Sequence, residues 1–177
     1  ETCCMAKKTA AKRKRFSMKV EEPVFVTMRD GVQIACRIYR PDAPGKKFPA
    51  LFAASPYQYE TDDLPHSRQF LWREVGPVEW YVRDHGYVYI HMDVRGSGQS
   101  GGFYNLLDKE EQQDYYECIE WVARQDWCDG NVGGLGQSYY AWSQWFMGIV
   151  NPPSLKCIAP YDGSVDMYRG TAYHGGI

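Results

Sequence analysis

Residues 133–141 read GGLGQSYYA and carry the strongest structural signal in the chain. A short apolar run precedes this stretch, and an apolar segment with helical spacing follows over residues 139–149. A serine between a strand and a helix is typical of a nucleophile elbow, a strained turn that exposes the serine hydroxyl. Gly136 would allow the turn without a Cβ clash, and Ala141 is small where the helix must approach the strand. The stretch predicts Ser138 as a nucleophile, and a glycine-rich turn with an incidental serine is the alternative.

Two hydrogen-bond donors are candidates for an oxyanion hole beside Ser138. The backbone N–H of Tyr139 would lie at the positive end of the following helix and point at a developing oxyanion. Ser55-Pro56-Tyr57 follows an apolar run over residues 49–54, so the Tyr57 hydroxyl could supply the second donor. Taken alone, Tyr57 is more simply one surface tyrosine among 14.

Working outward, strands and helices alternate along the chain. Asp30-Gly31 lies between two β-rich runs and predicts a leading hairpin, whose second strand alternates apolar and polar residues as if one face were buried. Asp108 with Glu111 resembles a helix cap. The expected strands are 24–28, 32–39, 49–55, 87–94, 131–135 and 155–159, and the expected helices are 78–85, 108–122 and 139–149. This order predicts an α/β fold with a mainly parallel sheet, whose ligands bind beyond the carboxyl ends of the strands.

A second glycine-rich stretch, residues 93–102, contains the spacing G-x-G-x-x-G from Gly96 to Gly101. A dinucleotide-binding oxidoreductase is therefore one hypothesis for the chain. The context argues against it, because that motif must open a helix immediately and residues 103–107 intervene. The preferred interpretation is a tight loop in which Asp93 and Arg95 pair and brace the edge of the site.

Composition excludes several classes of protein. The chain has 177 residues, 44% of them hydrophobic, and no apolar run long enough to span a bilayer, so we expect no membrane partner.

Residues 1–17 hold six Lys or Arg residues and predict a disordered basic arm, with a polyanion-binding patch as the alternative. The other 160 residues are mildly acidic overall, which argues against a surface that binds nucleic acid. The six cysteines lack metal-ligand spacing, which predicts no metal site. Because the first residues are polar and basic and form no secretory signal, we expect a reduced, cytoplasmic protein. Cys36, Cys118 and Cys157 lie in apolar patterns that favour burial.

Three acidic residues follow Tyr57 closely: Glu60, Asp62 and Asp63. Acids beside a catalytic cleft could bind the free ammonium group of a substrate. A solvated loop is the simpler interpretation of such a charge run, and it is preferred here.

With these motifs assembled, the chain resembles the CocE/NonD hydrolases and the related X-Pro dipeptidyl-peptidases over about residues 20–177. The resemblance runs in order through short motifs along the chain. They are Arg29-Asp30-Gly31-Val32, Tyr39-Arg40-Pro41, Ser55-Pro56-Tyr57, Gly86-Tyr87, Asp93-Val94-Arg95-Gly96-Ser97-Gly98, Gly136-Gln137-Ser138-Tyr139, Ile158-Ala159-Pro160 and Asp166-Met167-Tyr168.

The resemblance implies an α/β-hydrolase fold and serine-dependent hydrolysis of a small ester, amide or short peptide, without a cofactor. The family elbow reads G-x-S-Y-x-G, so Tyr140 is expected and Ala141 replaces the last glycine. It also implies that Ser138 is the nucleophile, and that the Tyr57 hydroxyl and the Tyr139 backbone N–H form the oxyanion hole.

The chain departs from this family in its general base. The family's triad Asp and His follow the serine beyond a helical cap domain, whereas only His174 follows Ser138 here, and it matches the entry to the cap. His66, His85 and His91 precede the serine and match no triad position. We therefore interpret residues 18–177 as an α/β-hydrolase domain that is truncated before the cap, and expect this piece alone to be inactive and prone to aggregate. A non-catalytic chain is the alternative.

Overall fold

The computed structural model describes residues 15–59 and 74–177. Residues 1–14, the acids Glu60, Asp62 and Asp63, and His66 lie outside the described residues, so the hypotheses about the basic arm and the ammonium site stay predictions. Phe16, near the end of the predicted arm, packs edge-on against Phe48 with the ring centroids 5.3 Å apart.

Nine main elements follow one another in the described residues. They are β1 (Met18–Thr27), β2 (Gln33–Pro41), β3 (Phe48–Ser55), α1 (Val78–His85), β4 (Val88–Asp93), α2 (Lys109–Ala123), β5 (Cys128–Gln137), α3 (Tyr139–Val150) and β6 (Leu155–Tyr161). Short helical turns follow at Tyr168–Ala172 and His174–Gly176. None of the helices among these described residues is long and apolar enough to cross a bilayer.

The strands form one sheet in the order β1-β2-β4-β3-β5-β6. Strands β4, β3, β5 and β6 are parallel, and the hairpin β1–β2 joins this group through an antiparallel pairing of β2 with β4. The mainly parallel sheet with a leading hairpin is therefore confirmed. Its carboxyl edge brings together the ends of β3, β4 and β5, which precede the residues singled out in the sequence.

The helices cover both faces of the sheet. Residues of α2 and α3 pack with the sheet in the main apolar cluster, which includes Ile119 and Met147. On the other face Val78 and Val82 of α1 belong to a second cluster with Tyr89. Such double coverage is what a parallel sheet needs to bury both of its faces.

Local signals set the ends of two helices as predicted. Helix α2 begins after Asp108, whose side chain accepts a hydrogen bond from the Glu111 backbone N–H at 2.9 Å. Helix α1 ends at Gly86, which has φ of 69° and ψ of 40°, a left-handed conformation that glycine adopts without a Cβ penalty.

Two burial predictions are wrong. Strand β2 is buried on both faces, because it lies between β1 and β4 and is covered by α1 as well as by the main core. Its Arg37 is held there by Glu22 and by the Tyr59 carbonyl. Cys157 is exposed rather than buried, because β6 is the last strand of the described sheet.

Candidate active site

The turn between β5 and α3 has the geometry of a nucleophile elbow. Ser138 has φ of 59° and ψ of −124°, which is strained for a residue with a Cβ. Gly136 has φ of 133°, and a Cβ there would lie 2.5 Å from the Tyr140 Cβ. A Cβ built on Gly163, in the segment after β6, would lie 2.5 Å from the Ala141 Cβ. These close approaches around Ser138 therefore require glycine at positions 136 and 163.

A buried amide fixes the elbow to the neighbouring strand. Gln144 of α3 donates to the carbonyls of Gly136 at 3.3 Å and Tyr140 at 2.8 Å, and its oxygen accepts from the Ala159 N–H at 2.8 Å. The Ser138 N–H donates to the Asp162 carbonyl at 3.3 Å. These bonds join β5, α3 and β6 around the serine, so its hydroxyl is presented by a rigid turn.

The Tyr57 hydroxyl lies 3.4 Å from the Ser138 Oγ. Tyr57 follows the carboxyl end of β3, and its N–H donates to the Ser55 Oγ at 3.2 Å. Its ring packs edge-on against the rings of Tyr139 and Tyr140, with centroid distances of 6.1 Å and 5.7 Å. The structure therefore brings the two side chains predicted from the sequence to the same point.

Tyr139 is the first residue of α3, so its backbone N–H has no acceptor within the helix. Its side chain is buried. The Tyr139 hydroxyl donates to the Glu111 carboxylate at 2.7 Å and accepts from the Tyr104 hydroxyl at 3.5 Å. Burial raises the pKa of the Tyr139 phenol far above its ordinary value, so it stays protonated and acts as a donor.

Glu111 is a further candidate residue of the site, because it accepts a hydrogen bond from Tyr139 beside the elbow. Its sequence position indicates only a part in a helix cap. Its side chain is 1% exposed and also accepts from the Tyr115 hydroxyl and the Leu107 N–H. Burial raises the pKa of this carboxyl above its ordinary value, while the phenol donors oppose the shift. A carboxylate held in this way ties α2 to the first turn of α3. Tyr115, four residues on and predicted to lie on the buried face, was the available signal.

None of the described histidines contacts Ser138. His85 packs against the Trp80 ring at 3.9 Å, and His174 lies exposed in the last short helical turn. His91 is buried in β4, and its Nε2 lies 3.0 Å from the Tyr140 hydroxyl and 3.5 Å from the Ser55 hydroxyl. Within the described residues, Tyr57 is the hydrogen-bonding partner of the Ser138 hydroxyl. The general base is therefore not assigned.

The glycine-rich loop after β4 folds onto the protein itself. A Cβ on Gly96 would collide with the Tyr104 backbone, and one on Gly98 would collide with the Asp93 carboxylate. Asp93 accepts from the backbone N–H groups of Tyr59 at 2.9 Å and Gln99 at 3.2 Å. The glycines accommodate these contacts, and no helix begins at the loop, which is unlike a dinucleotide site.

The predicted ion pair between Asp93 and Arg95 is wrong. Arg95 points toward α2 and makes two hydrogen bonds of 2.7 Å to Asp114, and a third of 2.7 Å to Asp30. Asp93 instead accepts hydrogen bonds from the backbone N–H groups of Tyr59 and Gln99. Among the described residues no group of three or more His, Cys, Asp or Glu side chains is arranged to hold a metal ion.

Comparison with known proteins extends this picture. Residues 30–177 match the X-Pro dipeptidyl-peptidase (S15) family. The cocaine esterase of Rhodococcus sp. (strain MB1 Bresler) is 38% identical over 158 residues, which are 89% of this chain and 26% of that protein. The chain thus spans about a quarter of the length of this curated relative.

Solved structures show the same similarity. A CocE/NonD family hydrolase from Staphylococcus aureus superposes with a TM-score of 0.80 at 38% identity, covering 90% of this chain and 30% of that one. An α-amino acid ester hydrolase superposes with a TM-score of 0.67 at 22% identity, covering 96% of this chain and 30% of that one. At that lower identity the likeness concerns the fold alone.

Proposed function

The chain belongs to the X-Pro dipeptidyl-peptidase (S15) family, a family of CocE/NonD-type hydrolases, and on that premise we propose that it carries the nucleophile and oxyanion hole of a serine hydrolase. The observation that carries the proposal is the distance of 3.4 Å between the Tyr57 hydroxyl and the Ser138 Oγ at a strained elbow. A phenol at that distance from a nucleophile can reach an oxygen of the carbonyl that the nucleophile attacks.

The proposed reaction is acyl transfer to water. The Ser138 Oγ attacks a carbonyl carbon as its proton passes to a general base, and the carbonyl oxygen becomes an oxyanion. The Tyr57 O–H and the Tyr139 N–H donate hydrogen bonds to that oxygen. The C–O or C–N bond to the leaving group then breaks, the leaving group takes the proton, and water hydrolyses the acyl-enzyme. The base and its orienting acid are not assigned to described residues.

We further propose a small ester, amide or short peptide as the substrate. Two of the comparisons support this class, since one relative is a cocaine esterase and the matching family is that of the X-Pro dipeptidyl-peptidases. The half-buried ring of Tyr57 packs on the buried rings of Tyr139 and Tyr140, and it offers apolar surface beside the serine.

A non-catalytic role is the second candidate. It is favoured by one observation, that Tyr57 is the partner of the Ser138 hydroxyl within the described residues and no described histidine is. In that case the elbow would serve only to hold α3 against the sheet.

Covalent trapping distinguishes the two candidates. A fluorophosphonate ester probe is applied to the 177-residue chain and to the full product of its reading frame, and labelled peptides are identified by mass spectrometry. We expect the probe on Ser138, because phosphonylation requires an activated serine. Modification of Ser138 in either protein supports the hydrolase. If both proteins turn over no ester and carry no probe at Ser138, the catalytic proposal is rejected.

Replacing Tyr57 by phenylalanine tests the oxyanion hole. In whichever protein is active, we expect kcat for ester hydrolysis to fall by about 100- to 1,000-fold, with KM little changed, because one oxyanion donor is lost. Steady-state kinetics measure the effect. Tyr116→Phe is the matched control, since this half-buried tyrosine lines a groove with Val26 and Thr27 and does not contact the elbow. Equal kinetics for Tyr57→Phe and the parent protein would remove Tyr57 from the mechanism.

A further inference from the structure

We propose that His91 is a positioning residue that fixes the Tyr57 hydroxyl beside Ser138. It would act through two residues at once: Ser55, which binds the Tyr57 backbone N–H, and Tyr140, which packs against the Tyr57 ring. The proposal rests on the proposed function, because it treats the Tyr57 hydroxyl as an oxyanion donor.

The position of Tyr57 is set at two points. The Ser55 Oγ accepts the Tyr57 N–H at 3.2 Å and so holds the backbone just after β3. The Tyr140 ring packs edge-on against the Tyr57 ring at 5.7 Å, with an interplanar angle of 75°, and so limits the direction in which the phenol points. Gln58, the next residue, has φ of 65°, so the backbone turns sharply directly after Tyr57.

His91 contacts both of these groups with one nitrogen. Its Nε2 lies 3.0 Å from the Tyr140 hydroxyl and 3.5 Å from the Ser55 hydroxyl. The imidazole is 1% exposed, and its ring packs against Tyr140 with the centroids 5.6 Å apart. Because water does not compete in this buried place, the hydrogen bond of 3.0 Å restrains the Tyr140 hydroxyl strongly, and the longer contact of 3.5 Å restrains Ser55 more weakly.

The arrangement favours positioning over catalysis by His91 itself. The Nε2 that a general base would offer to a nucleophile is directed at Tyr140 and Ser55. Tyr140 separates the imidazole from Tyr57, and Tyr57 in turn reaches Ser138. An oxyanion donor must lie within a few tenths of an ångström of its working position, so a loose Tyr57 would lose much of its effect on turnover.

The first test reads the position of Tyr57 without requiring activity. The protein is labelled with 3-fluorotyrosine, and the Tyr57 resonance among the 14 tyrosines is identified as the one missing in Tyr57→Phe. We expect His91→Leu to shift or broaden that resonance. Met92→Leu is the control, because Met92 is the next residue of β4 and packs in the main cluster on the other face. An unchanged Tyr57 resonance in His91→Leu overturns the proposal.

The second test uses turnover in a double-mutant cycle. We expect His91→Leu to lower kcat by about 10- to 100-fold while KM changes by less than about 2-fold. In the Tyr57→Phe background the same change should cost less than about 3-fold, because the hydroxyl on which His91 acts is already gone. Equal losses in both backgrounds overturn the proposal. His91→Gln, which retains a hydrogen-bonding amide, should recover most of the lost kcat.

Two further outcomes are separated by design. If His91→Leu does not fold, Tyr140→Phe removes only the oxygen that His91 contacts, and it should still lower kcat in the same Tyr57-dependent way. If the 177-residue chain and the full product of its reading frame both turn over no ester and carry no probe at Ser138, while the Tyr57 resonance still responds to His91→Leu, the proposed function is rejected and the positioning of Tyr57 by His91 is supported.

Discussion

Replacing Ser138 by alanine is expected to lower hydrolytic turnover by about 10⁶-fold, to the level of a protein that no longer forms an acyl-enzyme. The loss is larger than for Tyr57→Phe, because the oxyanion hole stabilises only charge that the serine attack creates. The measurement is the steady-state rate of ester hydrolysis, together with loss of the fluorophosphonate label. Turnover that survives in Ser138→Ala would place the nucleophile elsewhere.

Ser138→Gly is the informative companion variant. Alanine keeps a Cβ at φ of 59° and ψ of −124°, so the backbone strain persists in Ser138→Ala. Glycine removes that strain, and we expect its free energy of unfolding to exceed that of Ser138→Ala by about 1 kcal/mol. Urea unfolding measures the difference. A glycine variant that is inactive yet more stable would show that the lost turnover does not come from unfolding.

Replacing Asp114 by alanine is expected to lower the free energy of unfolding by about 3–5 kcal/mol. Asp114 is 0% exposed and receives two hydrogen bonds from Arg95, which is itself buried. Burial raises the pKa of the Asp114 carboxyl, while Arg95 opposes the shift. Removing the carboxylate leaves a buried guanidinium whose remaining ion-pair partner among the described residues is Asp30, on the side of the partly exposed hairpin loop. Urea or thermal unfolding measures the loss.

Two controls separate this pair from ordinary surface charges. Glu79→Ala breaks the exposed pair with Arg83 on α1 and should cost no more than about 0.5 kcal/mol. The double variant Arg95→Met/Asp114→Leu removes both charges and should be more stable than Asp114→Ala alone. A loss below about 1 kcal/mol in Asp114→Ala would mean that the pair does not anchor the hairpin to α2.

Local chemistry was sufficient to predict much of the fold and the centre of the candidate site. Gly86 ended α1 and Asp108 began α2 because each acts within its own turn. The rule that residues after parallel strands share one edge placed Tyr57 and Ser138 near each other, but the choice of Tyr57 over an incidental surface tyrosine depended on the family resemblance.

The remainder depended on contacts between distant segments. Arg95 lies two residues from Asp93, yet its partners Asp30 and Asp114 come from the hairpin and from α2. The roles of Glu111 and His91 likewise arise only when α3 packs beside them. The local pattern marks Glu111 only as part of a helix cap near the buried Tyr115, and it does not mark His91. Residues two apart in a strand share a face, so sequence proximity favoured the wrong ion pair, but β4 ends at Asp93 and the turn that follows directs Arg95 toward α2.

The strand order also has a consequence for how the chain assembles during synthesis. The hairpin β1–β2 pairs neighbours such as Val24 and Cys36 and can close early. Strand β3 lies at the centre of the sheet, where Phe52 pairs with Ile90 and Gly134, and both partners leave the ribosome much later. Since distant pairings close slowly, the apolar β3 keeps both edges unpaired until β4 has been made, and its second edge stays unpaired until β5 has been made. The elbow that holds Ser138 is completed later still, because the bonds that fix it involve Ala159 of β6 and Asp162, which are made after it.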